Sequence, residues 1–166
     1  MNRESCIMKN DGFSLVELLI VVAIMGIVFA IAALSMTSMS RTAKLNETRD
    51  QLLADIEEAK LKSISGVPQG IFVTGGNSTS YQVLRLTDAN SNFKRDAAEV
   101  YATLSTVTMP SGMTIEKNNG SEIWFDRKGI PKDSGWAPGN CTFTLTKDGV
   151  TRIITISEGG RIQYEY

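Results

Sequence analysis

Hydrophobic positions along the chain follow three successive patterns: an unbroken run, a helical stripe and a set of short alternating runs. From Phe13 to Met36, 20 of 24 residues are hydrophobic, and the 17 residues from Leu18 to Leu34 carry no charge. A helix over that shorter stretch is about 26 Å long, and one from Phe13 to Met36 about 36 Å, which is ample for a tilted membrane span. Gly26 is the interior glycine of the run, and small residues in membrane helices permit close helix contacts. Between residues 37 and 65 the pattern changes. Leu45, Leu52, Ile56, Ala59 and Ile64 recur at helical spacing among five acids and five bases, which predicts an amphipathic continuation of the first helix ending near Gly66-Val67-Pro68.

From Ile71 onward the runs are short and separated by turn residues. Ile71–Thr74 and Tyr81–Leu86 flank Gly75-Gly76-Asn77 as a hairpin, and Val100–Leu104, Val107–Met109 and Ile123–Phe125 read as further strands. Cys141–Thr146 and Thr151–Ser157 enclose Asp148-Gly149, a pair suited to a type I′ turn, and Gly159-Gly160 returns the chain through Arg161–Tyr164. The expected fold is α+β. A long N-terminal helix, half membrane-spanning and half amphipathic, packs on a C-terminal antiparallel β domain of seven or eight strands. The chain then divides into a leader at 1–12, a membrane and assembly helix at 13–36, an amphipathic extension at 37–65 and a β domain at 66–166.

Composition narrows the chemistry. The 166 residues contain no histidine, which removes Ser-His-Asp and Cys-His nucleophile pairs, His-based zinc motifs and imidazole acid–base catalysis. Nothing assembles a catalytic constellation, and no enzyme or cofactor is expected. Cys6 and Cys141 fit no Cys-x-x-Cys spacing. A net charge of −1 gives no general attraction to nucleic acid.

The start of the hydrophobic run is unusual. Gly12-Phe13-Ser14-Leu15-Val16-Glu17 places a carboxylate one residue before 17 uncharged positions. Such a group costs several kcal/mol toward a bilayer centre unless it stays interfacial or is paired; at a helix N-terminus the helix dipole also favours it. The stretch Gly12–Leu34 resembles the type IV pilin-like N-terminus. That resemblance implies cleavage after Gly12 by a prepilin peptidase, N-methylation of Phe13 and retention of the hydrophobic helix. It further implies that Glu17 pairs with the Phe13 amino group of a neighbouring subunit on assembly. The leader is less basic than those of the family, with Glu4 and Asp11 beside Arg3 and Lys9, and Leu34 stands where many pilins have a kinking proline. An ordinary signal peptide is the competing reading, because Ala30-Ile31-Ala32 satisfies a small-x-small cleavage pattern that would release a soluble periplasmic binding domain.

Two further segments resemble the GspH/FimT family of minor pilins and pseudopilins. They are Ala59-Lys60-Leu61-Lys62-Ser63-Ile64 and the terminal pattern Ile123-Trp124-Phe125, Gly129, Ile153–Ile156 and Gly160-Arg161-Ile162. The resemblance implies a structural subunit of a type II secretion pseudopilus or a type IV pilus, held in the bacterial inner membrane by a single pass with its C-terminal domain in the periplasm, before entering the filament. Its partners would be the prepilin peptidase, other pilin or pseudopilin subunits, the inner-membrane assembly platform and membrane lipid. Some FimT-type proteins serve in DNA uptake, so a DNA-binding subunit is the alternative within the family.

Two groups of residues invite other chemistry. Asp88, Asn90, Asn92, Asp96 and Glu99 have the spacing of a Ca²⁺ loop, but Phe93 occupies the position where that loop needs glycine; a solvated loop with Asp and Asn as turn formers accounts for them better. Arg127, Lys128 and Lys132 cluster near Trp136, with Arg161 on the last strand, as phosphate contacts for nucleic acid. Residues 66–166 contain ten bases and ten acids, which favours a solvated surface instead. Cys141 reads as a buried thiol acting as a small hydrophobe.

Overall fold

The computed structural model describes residues 14–94 and 99–165, with the backbone alone at 33–38. Among these residues one helix, α1 (Leu15–Ile64), precedes nine strands: β1 (Gln69–Val73), β2 (Ser80–Leu86), β3 (Tyr101–Thr108), β4 (Met113–Lys117), β5 (Glu122–Phe125), β6 (Pro131–Lys132), β7 (Cys141–Lys147), β8 (Val150–Ile156) and β9 (Ile162–Glu165). The chain divides after Ser40 into two units.

In the first unit the α1 residues Leu15–Ala32 are long and apolar enough to cross a membrane, and none of them is buried. Leu15, Ile20, Ile24, Phe29 and Ile31 each expose more than half of their surface. A helix that is apolar all round has no aqueous side and is stable only in lipid or among other helices.

The second unit, Arg41–Tyr166, has its own core. Leu45, Leu52, Ile56 and Ala59 are at most 1% exposed, as their spacing predicts. Ile64 does not join them and stands 45% exposed, whereas Ser63 beside it is fully buried. The stripe passes through position 63 because the spacing 52, 56, 59, 63 keeps to one face. There the helix also stops. Val67 N–H donates to the Lys62 carbonyl (2.9 Å) and Gly66 N–H to that of Ser63 (3.1 Å), with Gly66 at φ +102, a Schellman cap in which glycine takes the left-handed position. The Ser63 hydroxyl oxygen accepts the Gln69 N–H at 2.9 Å and so fixes where β1 begins.

The strands form two antiparallel sheets, ordered β3-β2-β1-β5-β6 and β4-β7-β8-β9. The β7–β8 hairpin turns as its sequence predicts: Lys147 pairs with Val150, and Asp148 and Gly149 take φ +50 and +80. Val100–Leu104 and Val107–Met109, expected as separate strands, are one strand, β3, because Ser105 and Thr106 pair with Val83 and Gln82. Two strands were not expected. Met113–Lys117 alternates buried and exposed positions but reads as polar, and β6 is only two residues long.

One core lies between the α1 stripe and the inner faces of both sheets. Ile71, Val73, Tyr81, Ile123 and Phe125 come from one sheet, and Met113, Ile115, Phe143, Leu145, Ile154 and Ile156 from the other. A smaller cluster of Leu84, Leu86 and Trp124, flanked by Phe72 and Trp136, covers the opposite face of the five-stranded sheet. Trp124 lies over Gly70, where an added Cβ would come within 2.8 Å of its ring, and its indole N–H donates to Glu122 (2.9 Å).

Candidate assembly site

Of the residues expected at the N-terminal site, Gly12 and Phe13 lie outside the described residues. Glu17 lies in the first turn of α1 and is exposed. Ser14 caps this helix: its hydroxyl accepts the Val16 N–H (3.2 Å), and its carbonyl accepts those of Glu17 (3.0 Å) and Leu18 (3.2 Å). Ser14-x-x-Glu17 therefore has capping-box spacing, and the carboxylate sits where the helix dipole favours negative charge. This serine was legible in the sequence as an N-cap signal but was not singled out. Chemically, the arrangement presents one anion at the positive end of a helix whose stretch Leu15–Ala32 carries no other charge. It suits a cationic partner at the membrane boundary.

The basic residues do not converge into one patch. The Arg127 guanidinium lies 4.6 Å from the centre of the Phe93 ring, and Lys132 pairs with Asp126 at 3.6 Å. Asp126 also accepts the backbone N–H groups of Lys128 (2.8 Å) and Ile130 (2.9 Å), so it builds the turn that carries the cluster. Lys128 is exposed. Arg161 borders a different feature, an open groove of about 430 Å³ with Glu57, Lys60 and Leu61.

The calcium spacing resolves similarly. Asp88 accepts the N–H groups of Asn92 (3.2 Å) and Phe93 (2.8 Å), Asn90 that of Asn92 (3.0 Å), and Asn92 that of Lys94 (2.7 Å). These side-chain oxygens are turned onto their own loop, as in Asx turns. Phe93 takes φ +58, the conformation a glycine would supply. Asp96 lies outside the described residues. Among the described residues no group of three or more acidic or cysteine side chains is placed to hold a metal.

Several polar residues of the second unit hold the helix to the sheets, and sequence reasoning missed them. Lys60 donates to the Gly160 carbonyl at 2.6 Å across 100 positions. A Cβ on Gly160 would collide with the Gly129 carbonyl, and one on Gly129 would approach the Lys60 side chain at 2.7 Å. The two glycines of the terminal pattern are therefore the close-approach points that let the Lys60 stem through. Arg49, 5% exposed, pairs with Asp50 (2.8 Å) and lies over the Tyr164 ring. The Tyr81 hydroxyl donates to Asp55, and burial, then this carboxylate, pushes its pKa up. Burial lowers that of Lys117, whose ammonium donates to the carbonyls of Asn118 and Asn119, both at 3.0 Å. The Cys141 thiol, 3% exposed, is pushed up to about 12 by burial, against the opposing pull of Lys117.

Residues 7–33 match the model of the prokaryotic N-terminal methylation motif. The motif thus covers the capped start of α1, Glu17 and most of the apolar run. Among solved structures the fold is similar to the type IV minor pilin FimU of Pseudomonas aeruginosa, at a TM-score of 0.57 and 17% identity over 77% of this chain and 92% of that one. The fold is pilin-like. This pilin-like fold is also similar to the minor pseudopilin EpsH from the type 2 secretion system of Vibrio cholerae, at a TM-score of 0.52 and 11% identity over 73% and 94% of the two chains. Among curated proteins, the chain is 28% identical to the pilin-like protein PilA1 of Thermus thermophilus over 166 residues, 95% of this chain and all of that one.

Proposed function

We propose that the chain is a minor pilin or pseudopilin, a structural and non-enzymatic subunit of a type IV filament machine serving type II secretion or pilus biogenesis. The observation that carries the reading is the methylation motif running into a capped helix on which Glu17 is the one charge in the exposed, apolar stretch Leu15–Ala32. Prepilin peptidase cleaves after Gly12, and Phe13 becomes the methylated N-terminus. The apolar helix holds the subunit in the inner membrane with the β domain in the periplasm, until the assembly platform passes it into the filament. There the Glu17 carboxylate meets the Phe13 amine of a neighbouring subunit. A buried carboxylate is tolerated beside a cation and not alone, so the pair favours the docked register over other positions along the bundle.

Mass spectrometry of the mature chain tests the processing step, with a methylated Phe13 expected. A start at Ala33 would establish signal-peptide release instead. Glu17→Gln tests the assembly step: the variant is expected to be cleaved and to stay with the membrane, while its signal in sheared filaments falls to background. Unchanged incorporation would remove Glu17 from the mechanism.

A further inference from the structure

We propose that β3 is a self-pairing edge, at which two copies of this chain join their five-stranded sheets through an antiparallel β3–β3 ladder. β3 ends the order β3-β2-β1-β5-β6, so one side of its backbone has no strand neighbour among the described residues. Its eight residues, Tyr-Ala-Thr-Leu-Ser-Thr-Val-Thr, contain neither a charge nor a proline. Every one except the half-buried Val107 is exposed, on both faces of the sheet. Val100, Tyr101 and Leu104 add apolar surface along it, at 73%, 43% and 48% exposure.

The other sheet ends are protected by the means proteins commonly use against edge pairing. β6 has two residues and begins with Pro131. β4 carries Glu116 and Lys117, and on its outer side Ile115 exchanges both backbone hydrogen bonds with Ser78. β9 has four residues, ends in Glu165 and lays Tyr164 against Arg49. β3 has one such device, a register shift opposite Leu104, which leaves Ser105–Thr108 in regular pairing.

The occupant follows from charge and length. A strand that best completes β3 is extended, uncharged and about as long, and of the four sheet ends among the described residues β3 alone qualifies. Laid antiparallel on itself, it sets no like charges opposite one another and brings β-branched residues into cross-strand contact. A two-fold contact of this kind is closed, so it pairs subunits without propagating along a filament. One strand edge buries less than the roughly 1,200 Å² of a stable interface. The pair therefore forms where copies are concentrated in a shared bilayer or micelle, and in this respect it rests on the membrane-anchor reading.

The test uses the full-length chain in detergent micelles with Cys6→Ser, Cys141 being buried. Thr106→Cys places a thiol on β3, and Thr151→Cys places another at an exposed position on β8, inside the other sheet. With a short bis-maleimide, Thr106→Cys is expected to give covalent dimer at least about tenfold faster than Thr151→Cys. Adding Ser105→Lys, or Thr103→Lys should the first melt early, is expected to return it to the control rate with an unchanged melting temperature. Equal rates at the two thiols, or a Ser105→Lys variant that crosslinks as before, would overturn β3 pairing while leaving the anchor reading intact. A chain that needs no detergent would overturn the anchor reading, and the ratio of the two rates can then be read in buffer.

Discussion

The α1 residues Leu15–Ala32 and Arg41–Ile64 share one backbone conformation and carry opposite surfaces. In the first stretch every side chain is exposed and nearly every one is apolar. In the second, Leu45, Leu52, Ile56 and Ala59 are sealed in the core while Glu47, Gln51, Glu57 and Glu58 face water. Local propensity is satisfied in both, so it cannot account for the difference. Packing does: the second stretch takes its stability from the sheets of its own chain, and the first must take it from lipid or from other helices. A substitution in one stretch should therefore be silent in assays that read the other.

The largest effect expected is Leu52→Ala. Leu52 is fully buried, and truncating such a residue costs about 2–5 kcal/mol, to be read as a lowered denaturation midpoint of the full chain in micelles. Ile24→Ala, at a position 57% exposed, should leave that midpoint in place; equal losses at the two sites would break the comparison. The glycines give a second pair. At Gly160 the backbone lies at φ +78 and a Cβ meets the Gly129 carbonyl, so Gly160→Ala should cost roughly 1–3 kcal/mol. Gly26 has nothing within 4 Å, and Gly26→Ala should leave the same midpoint untouched. A Gly160→Ala chain that melts like the parent would show that the two turns can separate freely.

The smallest effect is a pH dependence confined to the second unit. The Cys141 thiol is raised from 9.0 to about 12, so the unfolded chain ionises first. Its contribution is complete below pH 9 and is lost as pH rises through 12. Tyr81 acts in the same direction from pH 10 upward. Lys117, whose pKa burial lowers from 10.5, acts oppositely and gains stability as pH rises toward that value. Between pH 9 and 12 the denaturation midpoint should fall more steeply in the parent than in Cys141→Ala. Parallel curves would remove the thiol from the account.

Periodicity carried the sequence reading where each position had a single role. The exposed apolar run Leu15–Ala32, the stripe from Leu45 to Ala59 and the Asp148-Gly149 turn were all legible because each follows from spacing or φ preference alone. Positions with two roles were not. Arg49 reads as a solvent-facing base, yet its stem is buried and its head is held between Asp50 and Tyr164. Ser63 reads as polar, yet it lies in the core because its hydroxyl accepts a strand N–H. Lys60, Gly129 and Gly160 meet from three separate parts of the chain, and no local window contains that contact. The N-terminal residues Gly12, Phe13 and Glu17 fall within six positions and so read as one local motif, whereas the basic cluster dissolved once Asp126 and Phe93 were seen to engage its members.

The 2.6 Å bond from Lys60 to Gly160 also bears on the order in which the molecule is made. α1 is made before the strands its stripe packs against, from β1 and β2 close behind it to β7 and β8 near the end, so the helix is complete about 90 residues before its closing contact exists. At a synthesis rate of about 5–20 residues per second this leaves several seconds in which Leu45, Leu52 and Ile56 have only part of their native cover. Contacts so distant in sequence form slowly. The nascent chain is most open to aggregation and proteolysis in that interval, and a translational pause between Ile64 and Gly160 would lengthen it.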